Sequence, residues 1–189
     1  AEAGKGVVFR RSDLGGAEIP ALYDRVGETR LGTVIAEGKA SVGVIEHLMS
    51  AVAGAQIDDL LVTLDGPEPP ILDGDALAYL DLIRDAGVKD QPVPRQAIRI
   101  LKPVEVRQQD GFVRLSPHHR LRYELAIDFA SAAIGRQRFD FDFSADRFRH
   151  AIAPARTFVF LKEMEALNKM NLARGASLEN TLAIDGDAV

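Results

Sequence analysis

Tyr123, Leu125, Ile127 and Phe129 stand at every second position, and the same period of two runs through Arg136 to Phe143. A strand with one buried and one wet face requires this period, because successive side chains leave opposite sides of the backbone. Two such runs lie close together and commit this part of the chain to a sheet. Further extended stretches read at Ile98 to Arg107 and Gly111 to Ser116, so the region from Ile98 onward is rich in strands.

The pattern ahead of it is mixed. GVVFRR (Gly6 to Arg11) and LLVTL (Leu60 to Leu64) read as strands, and extended segments are expected at Glu18 to Val26 and Thr29 to Ala36. Between them lies GVIEHLMSAVAG, Gly43 to Gly54. At about 100° per residue, Val44, Ile45, Leu48, Met49 and Val52 gather on one face of a short amphipathic helix, with Glu46, His47 and Ser50 opposite. Ser41 is the expected N-cap and Gly54 the expected C′ residue. The segment DGPEPPILDGD (Asp65 to Asp75) is too rich in Pro and Gly for regular structure, and a second helix from Ala76 to Asp85 ends at Gly87.

DQPVPRQ (Asp90 to Gln96) has the composition of a linker. The expected division is a first half over 1–91, a linker over 92–97 and a second half over 98–189. Later helices are expected at Ala145 to Ala151 and Leu161 to Asn171, with RGASLENTLAI as a loop entering a strand. The fold class is α+β: two similar halves, each a mainly antiparallel sheet with helices on one face, the second half incomplete. Both ends read as interrupted, and a complete second half is expected to offer another core helix.

Composition excludes several functions. The 189 residues carry a net charge of −5, which argues against a broad nucleic-acid surface. No cysteine is present, so disulfides, thiol catalysis and thiolate metal sites are ruled out; His, Asp and Glu are left as the strong metal ligands. No run approaches the roughly 18 apolar residues of a membrane span, and the first residues lack a signal-peptide profile, so a cytoplasmic location is expected.

Glu46 and His47 lie side by side near the start of the predicted helix. Neutral imidazole binds Zn²⁺ well, and an unligated carboxylate nearby is a natural general base. On motif grounds alone, an adjacent Glu-His pair on a polar helix face is ordinarily solvated surface. The zinc-helix pattern with two histidines four residues apart is also excluded, because Ala51 stands where the second would be. Spacing alone gives one possible ligand and no site.

Taken in order, GVVFRRSDL, TRLGTVI, VIEHLMSAVAGAQIDDL, PEPPILDGDALAYL, IRILKPVEV, FDFSADRF, ARTFVF and GASLENTLAIDGDAV resemble the UDP-3-O-acyl-N-acetylglucosamine deacetylases of lipid A biosynthesis. The resemblance implies two α+β halves with the active site between them, and removal of an acetyl group from UDP-3-O-acyl-N-acetylglucosamine with one Zn²⁺. It makes His47 a zinc ligand, Glu46 the general base and Thr157 a stabiliser of the tetrahedral oxyanion. Phe158 and Phe160 then neighbour the substrate, and Asp73 supports the site. Arg30 and Leu31 lie at the entrance, and Ser177 and Asn180 near the sugar. The whole protein is expected to be a monomer.

The departures are specific. The family's two other zinc ligands come from a helix of pattern HKxLDxxGD, and a later histidine protonates the leaving amine; none of these patterns occurs here. A GxGLH stretch ahead of Ala1 is also missing, and Ala176 replaces the second glycine of the usual GGS. His118, His119 and His150 read as surface residues. This chain alone is therefore expected to bind zinc weakly, to be inactive and to expose apolar faces. The alternative is a non-catalytic UDP-sugar-binding or scaffold protein that keeps the fold.

Overall fold

Phe9 lies at the centre of the best-buried part of the molecule and is completely inaccessible to solvent. It belongs to β1 (Val7–Arg11), which pairs antiparallel with β2 (Ala17–Pro20) and will meet β5 (Leu60–Leu64) in parallel. Phe9 stands opposite Ile19 on one side and Val62 on the other, so all three project from one face of the sheet. The parallel register is set at one end by Asp59. Its carboxylate accepts the Gly6 N–H at 2.6 Å and the Gly4 N–H at 3.1 Å, and Gly6 in turn accepts from the Leu60 N–H at 3.1 Å. The computed structural model describes residues 1–29, 32–163, 175 and 177–189.

A small antiparallel hairpin of β3 (Ile35–Glu37) and β4 (Ala40–Val42) is tied to this sheet by Arg11. The Arg11 guanidinium is almost fully buried, forks onto Asp13 at 2.7 and 2.8 Å, and donates to the Ser41 carbonyl. A buried charge persists when its donors are paired in this way.

Three helices cover the sheet's apolar face. These are α1 (Glu46–Gly54), α2 (Leu77–Ala86) and α3 (Ala145–Ala151). Leu48, Ala51 and Val52 of α1 are buried with Tyr79 and Leu80 of α2 and Phe148 of α3, in one cluster with Phe9, Ile19, Ile35 and Val42. The α1–α3 contact requires a glycine, because a Cβ on Gly54 would come within 2.2 Å of the Phe148 ring. Asp75 caps α2 by accepting the Leu77 N–H at 2.9 Å, and Ser144 caps α3 through the Arg147 N–H at 3.2 Å. Arg149 of α3 reaches Asp81 of α2 at 2.6 Å.

The remaining strands form separate pairs: β6 (Val104–Gln108) with β7 (Gly111–Leu115), β8 (Arg122–Asp128) with β9 (Arg136–Asp142), and β10 (Phe158–Phe160) with β11 (Leu182–Ile184). The first two pairs are antiparallel and the third is parallel. The molecule is α+β with mainly antiparallel pairing, as the sequence leads one to expect. The apolar face of the β6–β7 hairpin is not covered by the described residues: Val106 and Val113, paired across the two strands, are 68% and 69% exposed. No helix among the described residues is long and apolar enough to cross a membrane.

Local expectations are corrected at several points. Ser41 is not a helix cap; it lies inside β4. The chain turns into α1 through Val44, at φ +52°, and Ile45, with no side-chain cap. Gly54 is the last helical residue and not C′, and its role is the contact with Phe148. The extended segment from Glu18 breaks at Pro20 into a 3-10 turn at Tyr23–Arg25, because proline cannot donate to a ladder. Pro103 similarly delays the strand expected from Ile98 until Val104. The helix expected over Leu161 to Asn171 falls mostly outside the described residues.

Asp59 yields a pH prediction. The Gly6 N–H, then the Gly4 N–H, hold its carboxyl below the ordinary carboxylate range. A pKa lowered by folding adds stability above the unfolded-chain value of about 3.9, and that stability is lost as pH falls through the lowered value. Asp59→Asn should therefore be less stable than the parent at about pH 5 and change less on titration to about pH 2, as read by urea unfolding at each pH.

Candidate active site

Glu46 opens α1 and His47 follows it; both side chains are half-buried. The Glu46 carboxylate is oriented by the chain that precedes the helix: its Oε2 accepts the Thr33 backbone N–H at 2.9 Å. Its other oxygen faces Gly32, where a Cβ would stand 3.0 Å away. The turn into the helix is strained, since Val44 is β-branched and sits in the left-handed region, at a cost of about 1–3 kcal/mol. Glu46 and His47 thus leave the helix start next to a close-packed loop.

The proline-rich segment connects this corner to the other sequence-predicted residues. The Pro67 carbonyl accepts the Gly43 N–H at 2.9 Å, three residues before Glu46. Further along, Ile71 to Gly74 form a tight turn closed by the Gly74 N–H on the Ile71 carbonyl at 3.0 Å, with Leu72 at φ +51°. Asp73 is exposed at the tip of this turn. The Gly74 carbonyl then accepts the Thr157 N–H at 2.9 Å, and the Thr157 carbonyl accepts the Leu182 N–H at 3.0 Å.

Among the described glycines, Gly74 permits the closest approach. A Cβ built there would lie 1.8 Å from the Asn180 carbonyl oxygen and 3.5 Å from the Thr157 methyl carbon. Its φ of +73° also suits glycine. The Thr157 methyl therefore faces Gly74. Thr157 is half-buried, and its hydroxyl makes no hydrogen bond among the described residues.

The structure gives the other predicted residues different surroundings. Phe158 and Phe160 share one face of β10, with ring centroids 5.9 Å apart, and both pack against Phe129, at 5.5 and 6.3 Å. Phe158 keeps 40% of its surface exposed. Ser177 and Asn180 belong to one turn: the Asn180 side-chain oxygen accepts the Ser177 N–H at 2.8 Å, and the Ser177 hydroxyl accepts the Glu179 N–H at 3.2 Å. Arg30, Leu31 and Ala176 lie outside the described residues. The His118 and His119 rings lie 4.3 Å apart and tilted at an exposed turn, and His150 is exposed beside Asp146.

Among the described residues no group of three or more His, Asp or Glu side chains is gathered to hold a metal ion. A catalytic zinc normally takes three protein ligands, so His47 with Glu46 does not fit a zinc site by itself. Sequence reasoning missed Thr33, Val44 and Gly74. Thr33 acts through a backbone N–H and has no side-chain signature; Gly74 could have been noticed as a glycine inside a turn flanked by two acidic residues.

Fold and site together define an α+β protein with a carboxylate–imidazole pair at a helix start, linked by a proline-rich loop to a threonine at a strand end. The family model described as UDP-3-O-acyl N-acetylglycosamine deacetylase matches residues 1–189, and the chain belongs to that family. It is similar to proteins named UDP-3-O-acyl-N-acetylglucosamine deacetylase from three bacteria. The identity is 42% to that of Campylobacter jejuni (strain RM1221), over 100% of this chain and 64% of the relative. It is 45% to that of Myxococcus xanthus (strain DK1622), over 98% and 59%, and 44% to that of Acidithiobacillus ferrooxidans (strain ATCC 53993 / BNL-5-31), over 95% and 60%. The chain thus spans 59–64% of the length of these relatives.

Gly74→Ala is expected to lower stability by about 2–4 kcal/mol, because both the backbone angle and the added methyl are opposed. Gly66→Ala, where a Cβ meets nothing within 4 Å, should stay within about 0.5 kcal/mol. Urea denaturation of the two variants checks the pair.

Proposed function

We propose that these residues belong to a deacetylase that hydrolyses the N-acetyl group of UDP-3-O-acyl-N-acetylglucosamine in lipid A biosynthesis. The observation that carries this reading is the Glu46 carboxylate, held by the Thr33 N–H beside the His47 imidazole at the head of α1. In this reading Glu46 takes a proton from the attacking water, the role of a general base. The Thr157 hydroxyl donates to the amide oxygen as negative charge develops on it. Phe158, Phe160, Ser177, Arg30 and Leu31 line the approach of the substrate, with Asp73 supporting the turn beside Thr157. Zinc is the cofactor implied by the family, and His47 is the ligand this chain would contribute. A division into halves at 1–91 and 98–189, a monomeric whole protein and a cytoplasmic location belong to the same proposal.

A non-catalytic UDP-sugar-binding protein is the second reading, favoured by the missing three-ligand group among the described residues. Kinetics separate the two. In a full-length protein carrying this segment, Glu46→Gln should lower kcat by about 10²–10⁴-fold and leave KM nearly unchanged. Calorimetric binding of the UDP-sugar with no acetate released by the parent would instead establish the binding protein.

The 189-residue chain itself is proposed to be inactive. Elemental analysis should find no more zinc in it than in His47→Ala. Stoichiometric zinc that disappears in His47→Ala would show that these residues complete a metal site by themselves.

A further inference from the structure

We propose that Asn180 is a positioning residue that sets the height of the Thr157 hydroxyl, and that it does not itself contact the sugar. Among the described residues, all three of its side-chain hydrogen bonds stay within its own turn. The amide oxygen accepts the Ser177 N–H at 2.8 Å and the Thr181 hydroxyl at 3.0 Å. The amide nitrogen donates to the Gly175 carbonyl at 2.8 Å. The turn is closed further by the Thr181 N–H on the Ser177 carbonyl at 2.9 Å. A side-chain amide has two donor hydrogens and an oxygen with two lone pairs. Both lone pairs and one hydrogen are committed here, which leaves little to offer a ligand.

The brace acts on Thr157 through two routes. The Asn180 carbonyl lies against Gly74, where no Cβ could fit, and the Gly74 carbonyl holds the Thr157 N–H. Two residues after Asn180, the Leu182 N–H holds the Thr157 carbonyl, and the ladder continues as Phe158 opposite Leu182 and Phe160 opposite Ile184. Thr157 is therefore clamped at both ends of its peptide by elements that Asn180 fixes. Thr181, next to Asn180, is itself buried, so the turn is pinned to the protein interior. Displacement of the turn would move a hydroxyl that is otherwise unpartnered among the described residues, and catalytic groups lose about 10²-fold for a misplacement near 1 Å.

This inference rests on the proposed role of Thr157 at the substrate carbonyl, and two measurements separate its failure from the failure of that reading. Amide hydrogen exchange on the 189-residue chain comes first. Asn180→Ala should raise exchange at Thr157 and Leu182 by about tenfold or more and leave Leu80 in α2 unchanged. Asn180→Asp, which keeps both acceptor bonds and loses the donor, should fall between Asn180→Ala and the parent. Unchanged exchange at Thr157 and Leu182 overturns the inference whatever the activity.

The second measurement is a double-mutant cycle in a full-length protein carrying the segment. Asn180→Ala should lower kcat about tenfold with KM within about twofold, and in the Thr157→Val background its effect on kcat should shrink below about twofold. A merely structural role would persist in that background. An undiminished loss there, or a loss confined to KM, overturns the inference. If the full-length parent shows no deacetylation, the proposed function fails alone and the exchange result decides the brace.

Discussion

The backbone of Pro67 to Gly74 holds the candidate site together. Its first carbonyl receives the Gly43 N–H beside the helix that carries Glu46 and His47, and its last receives the N–H of Thr157. No long side chain is needed in either bond, so the separation of the two corners is set by eight residues of peptide, Pro67 to Gly74. Three of the eight are prolines, which restrict the unfolded chain and lower the entropy lost on fixing the loop. Tyr79 of α2 adds a third tie by donating its hydroxyl to the Pro70 carbonyl. Burial pushes that phenol up to about 12, so the donor keeps its proton through the physiological range.

Backbone strain is found at both corners that the loop joins. Val44 and Leu72 both occupy the left-handed region, one just before the Glu-His helix and the other just before Asp73 and Gly74. Such residues persist where the surroundings over-determine them. Here the surroundings are the packed cluster of α1, α2 and the three-stranded sheet, with Phe9 and Ile19 fully enclosed. The order of dependence runs from core to loop to site: core packing holds α1 and α2, the helices hold the loop, and the loop spaces the Glu46–His47 corner from Thr157.

Much of this was legible from residue spacing, and the exceptions are instructive. LLVTL and the helix Ala145 to Ala151 fell where the sequence pattern placed them, because a half-buried apolar strand and a capped amphipathic helix each leave a local pattern. Ser41 failed as a cap because the turn before α1 is built from the Val44 backbone and a distant carbonyl, Pro67, neither of which has a sequence signature. Glu46 and His47 were visible as a chemical pair, but the Thr33 N–H that orients the carboxylate was not. Asn180 illustrates a deeper limit: a polar residue beside a predicted site reads as a ligand contact, and its bonds to Ser177, Thr181 and Gly175 have no sequence signature.

The uneven burial of the chain bears on how chemistry is distributed along it. The groups placed in the candidate site, Glu46, His47 and Thr157, are carried by or tied to elements that meet the packed cluster. The β6–β7 hairpin contributes no residue to that cluster and leaves Val106 and Val113 in solvent. The roles proposed for Glu46 and Thr157, a general base and an oxyanion donor, demand rigid support, and both residues have it within the described residues. A metal demands several ligands converging on one point, and one imidazole does not provide them. Under the proposed function, the described residues support the base and the oxyanion donor without gathering a three-ligand metal group. In such a protein, folding of the scaffold and assembly of the cofactor site depend on different residues and can be measured separately.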